Sequence, residues 1–314
     1  MRSNGRRISI IGLLQAVAAL TVAFSFATAL DVPHYSIELF SHFRLQYLVA
    51  SILLMLIFAV LKQPKYAVAL LLAAIFNGNL IVEWYTPPSD ENVGGQQLKL
   101  VHANVHASSD QYQRLIEFVA EEDPDMIFLQ EVTDDWIAGT VSLLQDYPYF
   151  YAETRVGNFG IAAFSKIPFD SIRHVDSPPL DHPTIIATVT VGDEELTLIS
   201  SHPTIPLGQY LYSARNQQLA SLAELVQDTD GQLVLLGDFN CSLWDVRYRN
   251  LVSSTGLRNV RKGFGVLPTW PTFMPFAMIP IDHMLISEGI AVSDARTGRR
   301  IGSDHLPLIA TLSL

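Results

Sequence analysis

Leu233-Val234-Leu235-Leu236-Gly237-Asp238-Phe239-Asn240 holds the pattern on which the whole chain turns. The four aliphatic residues read as a buried strand, and Gly, Asp and Asn directly after them read as its end. Taken alone, an Asp or Asn in that place is a turn former or cap. The same arrangement recurs along the chain, however, with polar residues at the ends of apolar runs. Asn104 ends a first run, Glu131 ends Met126-Ile127-Phe128-Leu129-Gln130-Glu131, and His202 ends Leu196 to Ser201. Asp282 opens Asp282-His283-Met284-Leu285-Ile286, and Asp304-His305 precede the last run. Strand ends gathered on one rim of a sheet sandwich converge on a single cleft.

Working outward, strands are predicted at 98–105, 126–132, 159–165, 184–191, 195–201, 233–238, 281–287 and 307–313. Helical periodicity is predicted at 110–122, with Leu115, Phe118 and Val119 on one face and Asp110 as N-cap, and at 212–227. Many short strands with few helices imply two packed sheets with helices outside. Jointly, the strand-end residues form a hard-oxygen set with two histidines and no cysteine. That composition suits Mg²⁺, or Mn²⁺, far better than a structural zinc.

Asn104, Gln130-Glu131-Val132, Ser201-His202-Pro203, Gly237-Asp238-Phe239-Asn240, Ile281-Asp282-His283 and Gly302-Ser303-Asp304-His305-Leu306-Pro307, in that order, resemble the endonuclease/exonuclease/phosphatase (DNase I-like) superfamily. The resemblance covers residues 98–314, and its two most specific parts are the motifs at 237–240 and 303–305. It implies an α+β fold, a four-layered α/β/β/α sandwich, and a metal-dependent hydrolase of phosphoesters. Glu131 is then the principal metal ligand, helped by Asn104 and Asp304. Asp238 orients and deprotonates the attacking water, Asn240 fixes the phosphate, and His202 donates to a non-bridging oxygen. Asp282 holds His305 in the tautomer it needs, and whether His305 or Asp238 is the base stays open.

Other residues carry less. Arg215 and Asn216 follow the His202 segment and are candidates to reach substrate, although solvated helix positions are the plainer reading. Trp270 sits before the 281–287 strand on a loop with Phe273, Phe276 and Met278, suited either to a hydrophobic part of a substrate or to packing. His102 and His106 flank Asn104 at even spacing and so share its face. His283, beside Asp282, points to the opposite face and reads as structural. His174 and His182 have no readable role. Cys241 is the only cysteine, which excludes an intrachain disulfide and reads as a small buried hydrophobe.

The first 85 residues differ from the rest. Residues 8–30 run 23 positions without a charge, residues 47–61 form a second apolar run of 15, and residues 66–82 a third. A helix crossing a bilayer needs roughly 20 residues. Three spans are therefore expected at about 8–30, 45–61 and 66–84. Arg2, Arg6, Arg7, Lys62 and Lys65 place the N-terminus and the second turn in the cytoplasm, so the chain after Tyr85 emerges on the far side, the periplasm in a Gram-negative cell. Ala27-Thr28-Ala29 also resembles a signal-peptidase site and Arg6-Arg7 an export signal; both lead to the same side. Residues 86–97, with paired prolines and paired glycines, read as a linker.

Charge narrows the partners. The segment after Glu91 holds 14 basic and 26 acidic residues, a net charge near −12. A duplex-binding domain ordinarily presents a basic surface to the phosphates. A lipid-linked or small phosphoester at the membrane surface is the favoured substrate. The alternatives are an envelope DNA endonuclease or exonuclease and, from a different class, a non-catalytic membrane binding module.

Overall fold

A computed structural model describes residues 9–27, 32, 34–88 and 94–314. The chain divides into two compact units, Met1–Glu83 and Trp84–Leu314. Arg6-Arg7, Thr28-Ala29 of the peptidase-like site and linker residues 89–93 lie outside the described residues.

The first unit is helical: α1 (Ile10–Ala27), α2 (Tyr35–Ser41), α3 (Arg44–Val60) and α4 (Pro64–Val82). Two helices, Ile10–Ala27 and Pro64–Tyr85, are long and apolar enough to cross a membrane. A third span arises only if α2 and α3, bent by 63°, count as one. At the start of α3 stands Arg44, which falls between the spans expected at 8–30 and 45–61. It is buried instead, its Nη1 donating to the Ser25 carbonyl at 2.6 Å and to Asn77 Oδ1 at 3.2 Å. Asn77 Nδ2 in turn donates to Ser25 Oγ at 2.9 Å. A cation that donates to two acceptors inside the bundle is no longer a loop charge.

The second unit runs β1 (Gln97–Asn104), α5 (Tyr112–Glu122), β2 (Met126–Gln130), α6 (Asp134–Gly139), β3 (Tyr149–Glu153), β4 (Ile161–Ser165), β5 (Ser171–Ser177), β6 (His182–Val191), β7 (Glu194–Ser201), α7 (Gly208–Gln227), β8 (Gln232–Asp238), α8 (Val246–Thr255), β9 (Arg258–Asn259), β10 (Asp282–Ile286), β11 (Ala291–Thr297) and β12 (Leu308–Ser313). Two six-stranded sheets result, ordered β11-β12-β1-β2-β4-β3 and β5-β6-β7-β8-β10-β9. The strands missed in sequence are mostly sheet-edge elements. β5 alternates exposed and half-buried residues, and β9 has only two residues, so neither shows an apolar run. Asp110 is not the N-cap of α5. Ser109 Oγ takes the Gln111 N–H, Asp110 is engaged by the Gln111 side chain, and the helix begins at Tyr112.

Strand periodicity decides what meets what. Leu98 and Leu100 of β1, Met126 and Phe128 of β2, Leu196 and Leu198 of β7, Val234 and Leu236 of β8, and Met284 and Ile286 of β10 share one core cluster between the sheets. Val101, Ala103, Ile127 and Leu129 instead pack with Leu115, Phe118 and Trp136 on the helical side. Side chains alternate faces along a strand. Continuing each inner row therefore reaches Asn104, Gln130, His202, Asp238 and Asp282.

Gln130 ties the two sheets together at this end. Its Oε1 accepts from the Asp238 N–H at 2.8 Å and its Nε2 donates to the Ser201 carbonyl at 2.7 Å. Gly237 is required beside it: its φ is +149°, and a Cβ there would lie 1.9 Å from the Ser201 oxygen. His283, on the outer face of β10, is fully buried. Its Nε2–H donates to the Cys241 carbonyl at 2.8 Å, its Nδ1 accepts from Asn259, and its ring stacks on Phe239 and Tyr248. Burial above all, and then the Arg261 charge, holds its pKa down to about 3.

Two outcomes are expected. Gln130→Leu strips buried backbone groups of their partner and lowers unfolding free energy by about 2 to 4 kcal/mol, read from urea midpoints. For His283, stability is fully present above its ordinary 6.5 and is lost as pH falls from there toward about 3, because only the unfolded chain binds the proton. The stability gap between the wild type and His283→Gln should therefore narrow below pH 6.5, by on the order of 1 kcal/mol per pH unit. Parallel stability curves for the two proteins would contradict this.

Candidate active site

Parallel pairing of β1 with β2 and of β7 with β8 brings the C-terminal ends of all four strands to one edge. Antiparallel β10 enters at the same edge, with Asp282 directly opposite Asp238 in register. Asn104, Glu131, His202, Asp238, Asn240, Asp282, Asp304 and His305 therefore meet in one place.

At the deepest level lies Asp282, fully buried and hydrogen-bonded by two imidazoles. His102 Nε2 stands 2.9 Å from Oδ1 and His305 Nδ1 2.8 Å from Oδ2. Burial alone would raise its pKa, but the two histidines hold Asp282 well below the usual carboxylate range. Burial alone would likewise lower His305; the carboxylates of Asp282, Asp238 and Asp304 outweigh it and raise His305 to about 10. The result is a buried ion pair whose imidazolium turns Nε2 toward Asp238 Oδ2, 3.7 Å away.

Asp238 sits at the centre. Its Oδ1 accepts from the Asn240 N–H at 2.9 Å; Oδ2 faces Asn104 Nδ2 at 3.3 Å and His202 Nε2 at 3.6 Å. Burial, and then the negative charge of Asp282, pushes its carboxyl upward. His202, buried against Phe159 with its ring 5.2 Å away, is driven down to about 3 by burial and by the His305 and His182 rings, so it is neutral. Asn240 donates Nδ2 to the Pro203 carbonyl at 3.0 Å.

Glu131 and Asp304 form the outer level. Asn104 Nδ2 donates to Glu131 Oε1 at 3.0 Å, and the Ala107 N–H to Oε2 at 2.9 Å. Asp304 Oδ2 accepts from Trp270 Nε1 at 3.0 Å, leaving Oδ1 toward the opening. Asp238, Asp282 and His305 also place one donor atom each within 4.8 Å of one another. Both Asp282 oxygens already face imidazole nitrogens, however, so that trio reads as a proton relay. Glu131 and Asp304 supply carboxylate oxygens of the kind that suits a hard divalent cation. Asn104, with Oδ1 on the His106 N–H and Nδ2 on two carboxylates, bridges Glu131 and Asp238. Glu131 and Asn240 both adopt left-handed backbone, φ 64° and 50°, a strain that concentrates at functional sites.

Two of the sequence candidates have different surroundings from those expected. Arg215 is neither solvated nor open to the cleft: it is fully buried, and its Nη1 donates to the Asn240 carbonyl at 2.9 Å. It supports the left-handed Asn240 from behind. Trp270 holds the Asp304 carboxylate. Gln130 enters the sequence reading only as part of the Gln130-Glu131-Val132 motif, with no role of its own, and His102 only through its even spacing from Asn104. Neither role is legible locally, because their partners lie in the other sheet.

His102→Leu leaves Asp282 with one imidazole. The expected loss in kcat is about 10- to 100-fold with KM nearly unchanged, the scale seen when a residue that orients a catalytic group is removed. His102→Gln, which keeps a donor, should recover part of it. Loss confined to KM would count against this role.

Comparison with known proteins follows the geometry. The profile of the Endonuclease/Exonuclease/phosphatase family matches residues 92–305. No curated protein matches the sequence. Among solved structures, D. rerio TDP2 with a single-strand DNA product is similar at TM-score 0.60 and 20% identity, covering 69% of this chain and 99% of that one. The 3′ phosphatase NExo from Neisseria, bound to a product DNA hairpin, gives 0.56 and 21%, over 68% and 98%. Sphingomyelinase C from Streptomyces griseocarneus gives 0.51 and 17%, over 68% and 99%. These likenesses confirm the two-sheet sandwich with flanking helices. With the profile matching well over half of its length and its strand-end residues meeting at one rim, the chain belongs to the endonuclease/exonuclease/phosphatase family, and is a phosphoester hydrolase of the metal-dependent kind.

Proposed function

We propose that this protein is a membrane-anchored phosphoester hydrolase that uses Mg²⁺, with Mn²⁺ as a substitute. In this reading residues 1–85 anchor the chain in the cytoplasmic membrane, 86–97 are a linker, and 98–314 act on the extracytoplasmic side. The observation that carries it is the two-level site: the carboxylates of Glu131 and Asp304, which flank His106, and the Asp238–His305–Asp282 relay beneath them. When bound, the cation would polarise the phosphoryl oxygen and stabilise the leaving oxygen. Asp238 would orient and deprotonate the water. Neutral His202 and the Asn240 amide would donate to non-bridging oxygens, while the His305 imidazolium stabilises the charge that develops there.

The substrate we propose is a lipid-linked phosphoester, or a small one at the membrane surface. Its support is the distribution of exposed apolar side chains. Among the described residues after 94, ten large hydrophobics are exposed, and seven of them lie in three segments beside the site. Val156 lies on the loop whose Phe159 meets His202; Ile205, Leu207 and Tyr210 follow Pro203, which binds Asn240; Phe273, Met274 and Phe276 follow Trp270, which holds Asp304. The 203–210 and 270–278 segments carry no charge. Apolar patches of this kind mark contact with hydrophobic partners. A DNA-cleaving reading draws on the DNA bound in two of the similar structures, but the net charge near −12 weighs against it.

The test is a phosphoester panel on the full-length chain: phospholipids in vesicles, water-soluble monoesters and diesters, and plasmid DNA, each with Mg²⁺, Mn²⁺ or EDTA. We expect lipid phosphoesters to be cleaved fastest, EDTA to abolish turnover, and Asp238→Asn to reduce kcat by about 10²- to 10⁴-fold, the usual scale for general base catalysis. Plasmid cleavage far faster than any lipid or small ester would replace the lipid reading with the nuclease one.

A further inference from the structure

His106 lies two residues past Asn104, and no role given above uses its ring. Its backbone and both ring nitrogens have neighbours at defined distances. The backbone is left-handed, φ 62°, unusual for a residue with a side chain. The N–H donates to Asn104 Oδ1 at 3.0 Å, and the carbonyl accepts from Trp136 Nε1 at 3.3 Å. Nε2 stands 2.8 Å from Ser108 Oγ. The other ring nitrogen, Nδ1, stands 3.7 Å from Glu131 Oε2 and 3.5 Å from Asp304 Oδ1. These oxygens belong to the two carboxylates assigned above to the cation. The ring remains partly open to solvent, its side chain 41% exposed.

We infer that His106 is a nitrogen donor to the divalent cation held by Glu131 and Asp304, and that it shifts the site's preference from Mg²⁺ toward Mn²⁺. The inference rests on the metal reading of those two carboxylates and adds a third ligand to it. Chemistry supports the assignment. Two donors on one ion with bonds of about 2.1 Å stand about 3 Å apart when adjacent and about 4 Å apart when opposite, and both measured separations fall in that interval. With Nε2–H donating to Ser108 Oγ, the lone pair lies on Nδ1, facing the carboxylates; a hydrogen bond to the remote nitrogen is what orients ligating histidines. Mg²⁺ takes oxygen donors almost exclusively, whereas Mn²⁺ accepts an imidazole more readily. The competing arrangement is an imidazolium that merely ion-pairs with the two acids and leaves when a cation enters.

Pulsed EPR on the full-length chain loaded with Mn²⁺ separates these. Nitrogen-14 modulation from a directly bound imidazole is expected in the wild type. It should vanish in His106→Ala and in His106→Asp, with folding of each checked by circular dichroism. By titration, His106→Ala should bind Mn²⁺ at least about tenfold more weakly, and Mg²⁺ by a smaller factor. His106→Asp should favour Mg²⁺ relative to the wild type. Mn²⁺ that binds without nitrogen modulation, modulation that persists in His106→Ala, or tighter Mn²⁺ binding by that variant would each overturn the inference. The first of these needs no variant. A wild type that takes up no Mn²⁺ at all would sink the metal reading of Glu131 and Asp304 itself, a different result from binding without nitrogen.

Discussion

Three polar links join the two sheets at one end of their shared core: His102 to Asp282, Gln130 to Asp238 and Ser201, and Asn104 to Asp238. Everything in the site hangs from them. An apolar core between two sheets must end somewhere, and an open end exposes backbone groups and admits water. Here the end is closed by side chains that satisfy one another across the gap. Polar groups sealed from water are costly unless paired, so each link constrains the next. The outcome is a group of charged side chains held with little freedom to relax.

That rigidity is what gives the site its electrostatics. Asp282 cannot turn away from its two histidines, and His305 cannot turn away from Asp282. The proton on His305 is thus kept in place by the carboxylates of Asp282, Asp238 and Asp304, which outweigh the opposing effect of burial. Asp238, a strand's width away, is buried beside a negative charge and becomes a stronger base than a carboxylate in water. Preorganised charge of this kind costs no reorganisation during a reaction, which is why such sites accelerate phosphoryl chemistry mainly by electrostatics. Arg215 belongs to the same scheme. Fully buried, it supports the Asn240 carbonyl, while the side-chain amide of Asn240 is held by the Pro203 carbonyl.

The contrast between the inner and outer levels of the site has a functional meaning. The relay is sealed, whereas Asp304 and His106 remain partly open to solvent. A cation and a phosphoester must enter and leave through that opening, and the loops around it are apolar and largely uncharged.

Much of this was legible in the chain itself. Runs such as Leu233 to Leu236 ended by Gly237 and Asp238 mark a strand and its turn, because aliphatic burial and turn chemistry are local properties. The ordered recurrence of such ends picked out the eight residues that meet at the rim, and the family with them. Edge strand β5, the start of α5 at Tyr112 and the burial of Arg44 and Arg215 were not legible, since each depends on neighbours remote in sequence. The same holds for His102 and Gln130. A histidine two positions before Asn104 shares its face by periodicity alone, but only packing of the second sheet supplies Asp282 as its partner, 180 residues away. Sequence determines which side chains occupy a strand's inner row; the register between strands and the stacking of the two sheets decide which of them touch.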